Sequence, residues 1–401
     1  MPLTGVVVLD LTQVLAGPVC TMQLADMGAD VIKVEKPDGG DDNRRMGPPF
    51  IKDWSAGFLA PNRNKRSLVL DLRAERGKEV FRRLLERADV VVENFRPGVM
   101  ERLGLGYPEL AKLKPTLVYC TISGFGSTGP YRNRGGFDLV AQGMSGLMSF
   151  TGFPDLPPAK VGVPITDISA GLLAASGILG AYIHAQRTGQ GQMVDTSLLE
   201  AGIFYTFWES SVYFVEGEIP GPLGSAHRVL APYQALHTKD GYITIGGGTQ
   251  STWERLCAAI DRQELIEDPR FLSSGDRKKQ ENELAALLEE TLSQETTGHW
   301  MELLERAGVP AGPIYNMEQV YQDPQVLARD MLVDLEDPDL GTIHNIGIPV
   351  KLSATPSRIR RRAPALGEHS EEVLKEHGFS DDEVEALVEA GVVLVDGGGG
   401  T

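Results

Sequence analysis

Through its first 200 residues the chain alternates short, β-branched apolar runs with segments of helical periodicity, and this alternation constrains the fold more than any other feature. GVVVLDL (5–11), DVIKVEK (30–36), SLVLDL (67–72), DVVVEN (89–94) and TLVYCTIS (116–123) read as strands. Between them TMQLADMG (21–28) reads as a helix stopped by glycine, and residues 75–88 as an amphipathic helix. Strands separated by helices form βαβ units with right-handed crossovers and a parallel sheet, so the N-terminal half is expected to be α/β. Asp167 then opens a helix of about five turns with small residues on every side, fit for close packing. Its uncharged stretch, Ile168 to Ile183, falls short of the roughly 20 residues that cross a bilayer, so a buried helix and no membrane association are expected. QMVDTSLLEAGIFYTF follows as a strand leading into another helix.

A length of 401 residues suits two or three domains. Near Glu216–Gly224 the composition shifts to EGEIPGPLG, a linker signal, and beyond it GYITIGGG (241–248) with helical stretches at 251–262 and 280–307 suggests a smaller α+β domain. The expected division is a large domain over 1–200, a linker over 201–224, a small domain over 225–325, and a second linker over 326–365. Residues 366–401 then return to the large domain with helices near 367–377 and 380–391. The tail VDGGGGT is expected to be disordered.

Composition excludes several classes. With 42% hydrophobic and 23% charged residues the chain is an ordinary globular protein. Three scattered cysteines, Cys20, Cys120 and Cys257, form no C-x-x-C pair, so neither a disulfide framework nor a cysteine zinc site arises from sequence neighbours. The N-terminus lacks a basic leader and long apolar core, and a cytoplasmic location is expected. A net charge of −17 argues against nucleic acid as a partner. The charge is uneven, however: up to Arg134 there are 20 Lys and Arg against 16 Asp and Glu, and beyond it 18 against 39. Helix-surface charge and a site for an anionic ligand both account for this.

Individual motifs are weaker. SGFGSTGP (123–130) spells G-x-G-x-x-G after a strand, but Pro130, Tyr131 and the turn-like RNRGG stand where a dinucleotide fingerprint must open into a helix. A glycine-rich turn at the carboxyl end of a strand is the better reading. GGGTQ (246–250) lacks the Lys-Ser/Thr ending of a P-loop, the seven histidines show no metal spacing, and no G-x-S-x-G elbow occurs. Asp167 is harder to explain away. An Asp at the start of a helix is sufficiently explained as an N-cap, yet a carboxylate held there is also oriented as a nucleophile needs to be. Position alone leaves both readings open.

Several motifs in one order then add a resemblance that runs nearly end to end. GVVVLDLTQVLAGPVCTMQLADMGADVIKVEKPDGGD, NRNKRSLVLDLR, VVENFRPGVMERLGLGY, SGFGSTGP, VPITDISAG, GVPAGPIYNMEQV and LGEHSEEVL closely resemble the family III CoA-transferases, the superfamily of formyl-CoA transferase, carnitine CoA-transferase and α-methylacyl-CoA racemase. The resemblance implies a Rossmann-like large domain built from both chain ends, a small domain, and an interlocked homodimer. It implies that acyl-CoA and a carboxylic acid are the substrates, with no tightly bound cofactor and no metal. Asp167 matches the aspartate that becomes acylated. The CoA-binding positions map onto Leu15, Ala16, Lys36, Leu70, Arg73, Asn94, Phe95 and Arg102. Leu15 stands where formyl-CoA transferase has glutamine and Lys36 where it has arginine. GPLGSAH loosely matches the glycine loop that covers the intermediate, which makes Gly224 and Ser225 substrate-site candidates together with Phe137. The racemase branch carries histidine in a GHD segment where this chain has Phe137 in GGFD, and phenylalanine accepts no proton, so transfer is favoured over racemisation. A non-catalytic CoA-binding protein is the third alternative, and the presence of Asp167 argues against it. GGFDLVAQGMSGLM most resembles members that exchange CoA between dicarboxylates of the succinyl-CoA type.

Overall fold

Six parallel strands form the body of the main sheet in the computed structural model, which describes residues 1–395. They are β1 (Val7–Asp10), β2 (Asp30–Glu35), β3 (Lys65–Leu70), β4 (Val90–Glu93), β5 (Val118–Ser123) and β6 (Gln192–Ser197). A short seventh strand, β7 (Val393–Leu394), joins the edge antiparallel to β3, giving the order β7-β3-β2-β1-β4-β5-β6. The chain thus winds outward from β1 in one direction and then returns to build outward in the other, so the strand order reverses between β1 and β4. Open α/β sheets bind ligands outside the carboxyl ends of the strands at such a reversal.

Strands buried on both faces read as continuous apolar runs, which explains why they were legible in the sequence. Alternate residues point to opposite faces, and each face meets its own helices. Leu9, Ile32, Leu68 and Val91 pack against Phe81 and Leu84 of α2 (Glu75–Leu85) and against Val373, Leu374 and Leu387 from the C-terminal helices Ser370–Glu376 and Asp381–Glu389. On the other face Val8, Val31, Val90 and Val92 meet Cys20 and Leu24 of α1 (Ala16–Asp26) and Ala170, Ala174 and Ile178 of α4 (Ile165–Thr188). Two short helices, α3 (Asp138–Met144) and α5 (Leu198–Phe204), flank α4. At 24 residues α4 exceeds the expected length and is apolar enough in composition to cross a membrane; here its small-residue face packs on α1. The approach is close: a Cβ at Gly171 would lie 2.5 Å from the carbonyl oxygen of Ala16.

The chain divides into two compact units, and the division differs from the expected boundaries. The first comprises Met1–Leu147, Val161–Tyr205 and the chain from Pro324 onward. The second comprises Met148–Lys160 and Thr206–Asp323, so a short segment inside the expected large domain belongs to it. There the strands Tyr233–Thr238, Gly241–Gly246 and Ala311–Pro313 form an antiparallel sheet over Trp253, Leu256, Leu284, Leu288 and Leu304. The helical stretch expected at 280–307 is two helices, Glu281–Leu292 and Thr297–Arg306, broken where Thr296 caps the second.

The expected linker 326–365 contains a hairpin, Leu332–Asp337 with Gly341–Ile346. Its Leu340 and Ile343 pack with Phe58 and Leu59, and Arg362 pairs with Asp337 at 2.7 Å. These partners are remote in sequence, so local periodicity did not reveal the hairpin. The expectation for the glycine-rich tail falls on residues 396–401, outside the described residues.

Candidate active site

Between the carboxyl ends of β1 and β4 lies a cleft of about 370 Å³. One wall is the loop that carries the chain from β1 into α1, and buried side chains anchor it residue by residue. Lys33 Nζ donates to the Thr12 carbonyl at 2.8 Å. Asn94, just past β4, clasps Gln13 from both sides, accepting its N–H at 2.8 Å and donating to its carbonyl at 2.9 Å. Val14 N–H donates to Asp41 Oδ1 at 3.0 Å, and Asn43 Nδ2 donates to the Val14 carbonyl at 3.1 Å. Val14 has φ 66°, left-handed backbone that a β-branched residue adopts at a cost on the order of 1–3 kcal/mol. Leu15 and Ala16 follow at the start of α1, where no side chain caps the helix.

Beneath this loop the charges are buried and paired. Lys33 lies 2.9 Å from Asp41, and Lys65 lies 3.0 Å from Asp10, all four side chains being fully buried. Asp10 also accepts from the hydroxyls of Thr12 and Thr21. Burial alone would raise the Asp10 carboxyl, but Lys65 and Lys33 hold it below the usual carboxylate range. Burial pushes the Lys65 ammonium down to about 8 despite Asp10. Glu35 pairs with Arg44 at 2.6 Å and accepts from Ser67 at 2.6 Å.

The opposite wall carries Asp167 in the first turn of α4. Capping of that helix is supplied from elsewhere: Asp138 Oδ1 accepts from the Thr166 N–H at 2.9 Å and its hydroxyl at 2.8 Å. Gln142, one turn along α3, holds the other Asp138 oxygen at 2.7 Å. The N-cap reading of Asp167 is therefore corrected. Its carboxylate accepts no hydrogen bond among the described residues, and burial, then the nearby charge of Asp138, pushes it up to about 6. Gly171, one helical turn on, sets α4 directly against Ala16, which places Asp167 beside the Leu15–Ala16 wall.

A third side is the strap Arg134–Phe137. Gly136 presses on Gly124 at the end of β5 so closely that a Cβ on Gly124 would meet the Gly136 Cα at 2.6 Å. Gly124 of SGFG and Gly136 of RGGF thus serve backbone contact, whereas Gly126 supplies a left-handed φ of 87° in the turn. No helix opens until Asp138, so the run presents no helix terminus to a pyrophosphate. Phe137 is 76% exposed and lines the cleft.

Six of the candidate residues, Leu15, Ala16, Asn94, Phe95, Phe137 and Asp167, line this one cleft. Asn94 does so with its side chain already committed to Gln13. Lys36, Leu70, Arg73 and Arg102 do not line it. Lys36 is tied to Asp42 at 2.7 Å, and Leu70 is buried at the end of β3. Arg73 and Arg102 are exposed on segments that follow β3 and β4 and form no ion pair among the described residues. Gly224 and Ser225 belong to the second unit, where Gly224 lies against Phe153 and the Ser225 hydroxyl accepts from Ala235 N–H at 3.1 Å. Residue-level reading missed Asp138, Gln142, Arg96 and Arg134. Only the Asp138–Gln142 pair had a local signal, its i, i+4 spacing on one helix face. Among the described residues no group of three or more His, Cys, Asp or Glu is arranged to hold a metal.

Residues 3–370 match the family model for CoA-transferase family III. The chain belongs to that family. It is 39% identical to human succinyl-CoA:glutarate CoA-transferase over 98% of this chain and 90% of that protein. It is 41% identical to succinate–glutarate CoA-transferase of Agrobacterium fabrum over 94% and 95% respectively. The crystal structure of a CAIB/BAIF family protein from Brucella suis superimposes with a TM-score of 0.84 at 41% identity, covering 94% of this chain and 99% of that one. This family III enzyme is therefore a CoA-transferase, and its substrates are an acyl-CoA thioester and a carboxylic acid.

Proposed function

We propose that this transferase exchanges CoA between dicarboxylic acids of the succinyl-CoA type, with Asp167 as the residue that is acylated. One observation carries the assignment of Asp167: it is a carboxylate without a hydrogen-bond partner among the described residues, in the cleft at the strand-order reversal. An ionised Asp167 oxygen attacks the thioester carbonyl, the C–S bond breaks, and CoA leaves as thiolate. The resulting mixed anhydride is opened by that thiolate at the aspartyl carbonyl, which releases the donor acid and forms an aspartyl-CoA thioester. The acceptor carboxylate attacks this thioester, the aspartyl C–S bond breaks to release CoA thiolate again, and a second anhydride forms. Return of the thiolate to the acceptor acyl carbon gives the new acyl-CoA and restores Asp167. Each step exchanges one activated acyl bond for another of similar energy, which is what nucleophilic catalysis achieves by dividing a reaction. The apolar wall of Leu15, Ala16 and Phe137 suits anhydrides that water would hydrolyse.

The dicarboxylate reading is supported by the names of the relatives, which include a succinyl-CoA:mesaconate CoA-transferase of Haloarcula hispanica at 41% identity. The arginines of the cleft lining suit the anionic phosphates of CoA: Arg96 and Arg134 form no ion pair among the described residues. A homodimer belongs to the same reading. The helix Phe207–Glu216 has no buried residue and exposes Trp208, Tyr213, Phe214 and Val215, an apolar surface that a second copy would cover. Sedimentation at twice the 43.5 kDa chain mass is expected, and a stable monomer would refute it.

The test of the nucleophile is direct. The protein is incubated with succinyl-CoA, quenched with hydroxylamine, and the modified peptide mapped by mass spectrometry. A hydroxamate at Asp167 is expected; modification at another carboxylate overturns the assignment.

A further inference from the structure

We infer that the buried Lys33–Asp41 pair, with Asn43, is a positioning device for acyl transfer: it holds Val14 in left-handed backbone and thereby fixes the Leu15–Ala16 wall against Asp167. Lys33 acts on both sides of Gln13. Its Nζ binds the Thr12 carbonyl at 2.8 Å directly and reaches Val14 through Asp41, whose Oδ2 lies 2.9 Å from Nζ and whose Oδ1 accepts the Val14 N–H at 3.0 Å. Asn43 closes the clamp. It donates to the Val14 carbonyl at 3.1 Å and the Gly57 carbonyl at 2.6 Å, while its own N–H donates to Asp41 Oδ1 at 3.0 Å.

Both backbone groups of Val14 are thus held by side chains from a segment 27 or more residues away. A valine released from such bonds returns to negative φ, the conformation its branched side chain favours. Leu15 and Ala16 would turn with it, because they continue the same backbone into α1. The far wall would not follow, since Asp167 rides on α4, whose Ala170, Ala174 and Ile178 pack on Cys20 and Leu24 further along α1 and on the sheet. The expected consequence is a reacting acyl group out of line with Asp167 in an otherwise folded enzyme. A displacement near 1 Å costs about 10²-fold in rate.

None of these clamp residues touches the cleft's reacting groups, so they are positioning residues, and the test must separate that role from a structural one. Asp41→Asn keeps the shape but turns an amide toward Lys33. It is expected to lower kcat for succinyl-CoA-dependent transfer about 10²-fold and to move the KM for succinyl-CoA less than about threefold. Asn43→Ala, which removes no charge, is expected to lower kcat about tenfold and keeps the test available should Asp41→Asn fail to fold. The deciding measurement adds Val14→Gly to each. Glycine enters the left-handed region without a steric penalty, so it is expected to restore about tenfold of the lost kcat in the Asp41→Asn background. A purely structural pair predicts that Val14→Gly, which loosens the loop, deepens the loss. Full kcat in both clamp variants, or a loss deepened by Val14→Gly, overturns the proposal.

The inference rests on Asp167 as the acylated residue. Hydroxylamine trapping on the unmodified enzyme judges that assignment separately from the rescue of kcat.

Discussion

Asp10 and Asp167 are carboxylates of the same unit, both withdrawn from water, and their surroundings act in opposite senses. Asp10, on the floor beneath the cleft, lies against Lys65 at 3.0 Å, near Lys33, and under two threonine hydroxyls. Asp167, on the wall, has burial and the like charge of Asp138 to contend with and no hydrogen bond among the described residues. The floor neutralises what it buries, because an unpaired charge in low dielectric costs several kcal/mol. The wall leaves one carboxylate uncompensated. Stability is surrendered at the position where reactivity is required, and the paired floor keeps the geometry while this happens.

Loss of the wall carboxylate has the largest expected effect. Asp167→Ala is expected to lower transfer by about 10⁴-fold or more, the scale seen when a nucleophile is deleted, with unchanged circular dichroism. Residual activity within tenfold of the native rate would place the nucleophile elsewhere.

The corresponding change on the floor acts on stability. Asp10→Asn leaves the buried Lys65 without its carboxylate while Lys33 keeps Asp41, and a loss of about 3–5 kcal/mol in urea unfolding is expected. A loss below about 1 kcal/mol would mean that the pair is not the support described.

The wall predicts the reverse sign. A carboxylate whose folded value is raised from 3.8 to about 6 binds its proton more tightly in the folded state. Ionising it therefore costs stability progressively as pH rises from about 4, and the penalty is complete once pH exceeds about 6 to 7. Asp167→Asn is expected to stabilise the protein by on the order of 1–3 kcal/mol at pH 7.5 and to lose this advantage at pH 4. Since only the ionised carboxylate attacks, kcat should rise with pH through about 6. Thermal melts of native and variant protein at the two pH values check the sign.

The smallest effect belongs to the rim. Arg134→Gln removes an exposed guanidinium that stacks on Tyr131 at 4.6 Å and pairs with no carboxylate among the described residues. It is expected to raise the KM for acyl-CoA about tenfold at low salt and less at high salt, with stability changed by less than about 0.5 kcal/mol. A salt-independent KM would remove Arg134 from the anion-binding surface.

Much of this was legible in the order of residues, and the reason is local. A strand buried on both faces must be apolar throughout, so β1 to β5 announced themselves in runs such as VVVLD and VVVE, and the helices between them implied a parallel sheet. The ordered motifs carried the family, and with it Asp167 and the Leu15–Ala16 and Asn94–Phe95 positions of the cleft. The chemistry around those positions was set by contacts remote in sequence. Asp138 caps α4 from 28 residues away, so Asp167 is free of the task that its position suggested. Val14 takes φ 66° because Asp41 and Asn43 reach it from the segment that follows neighbouring β2, and Asn94 binds Gln13 from 81 residues away. Hydrophobic periodicity is a property of neighbours along the chain and survives in one dimension. The pairing of a buried charge or an unsatisfied amide depends on which strand ends the fold brings together, and only the tertiary structure decides that.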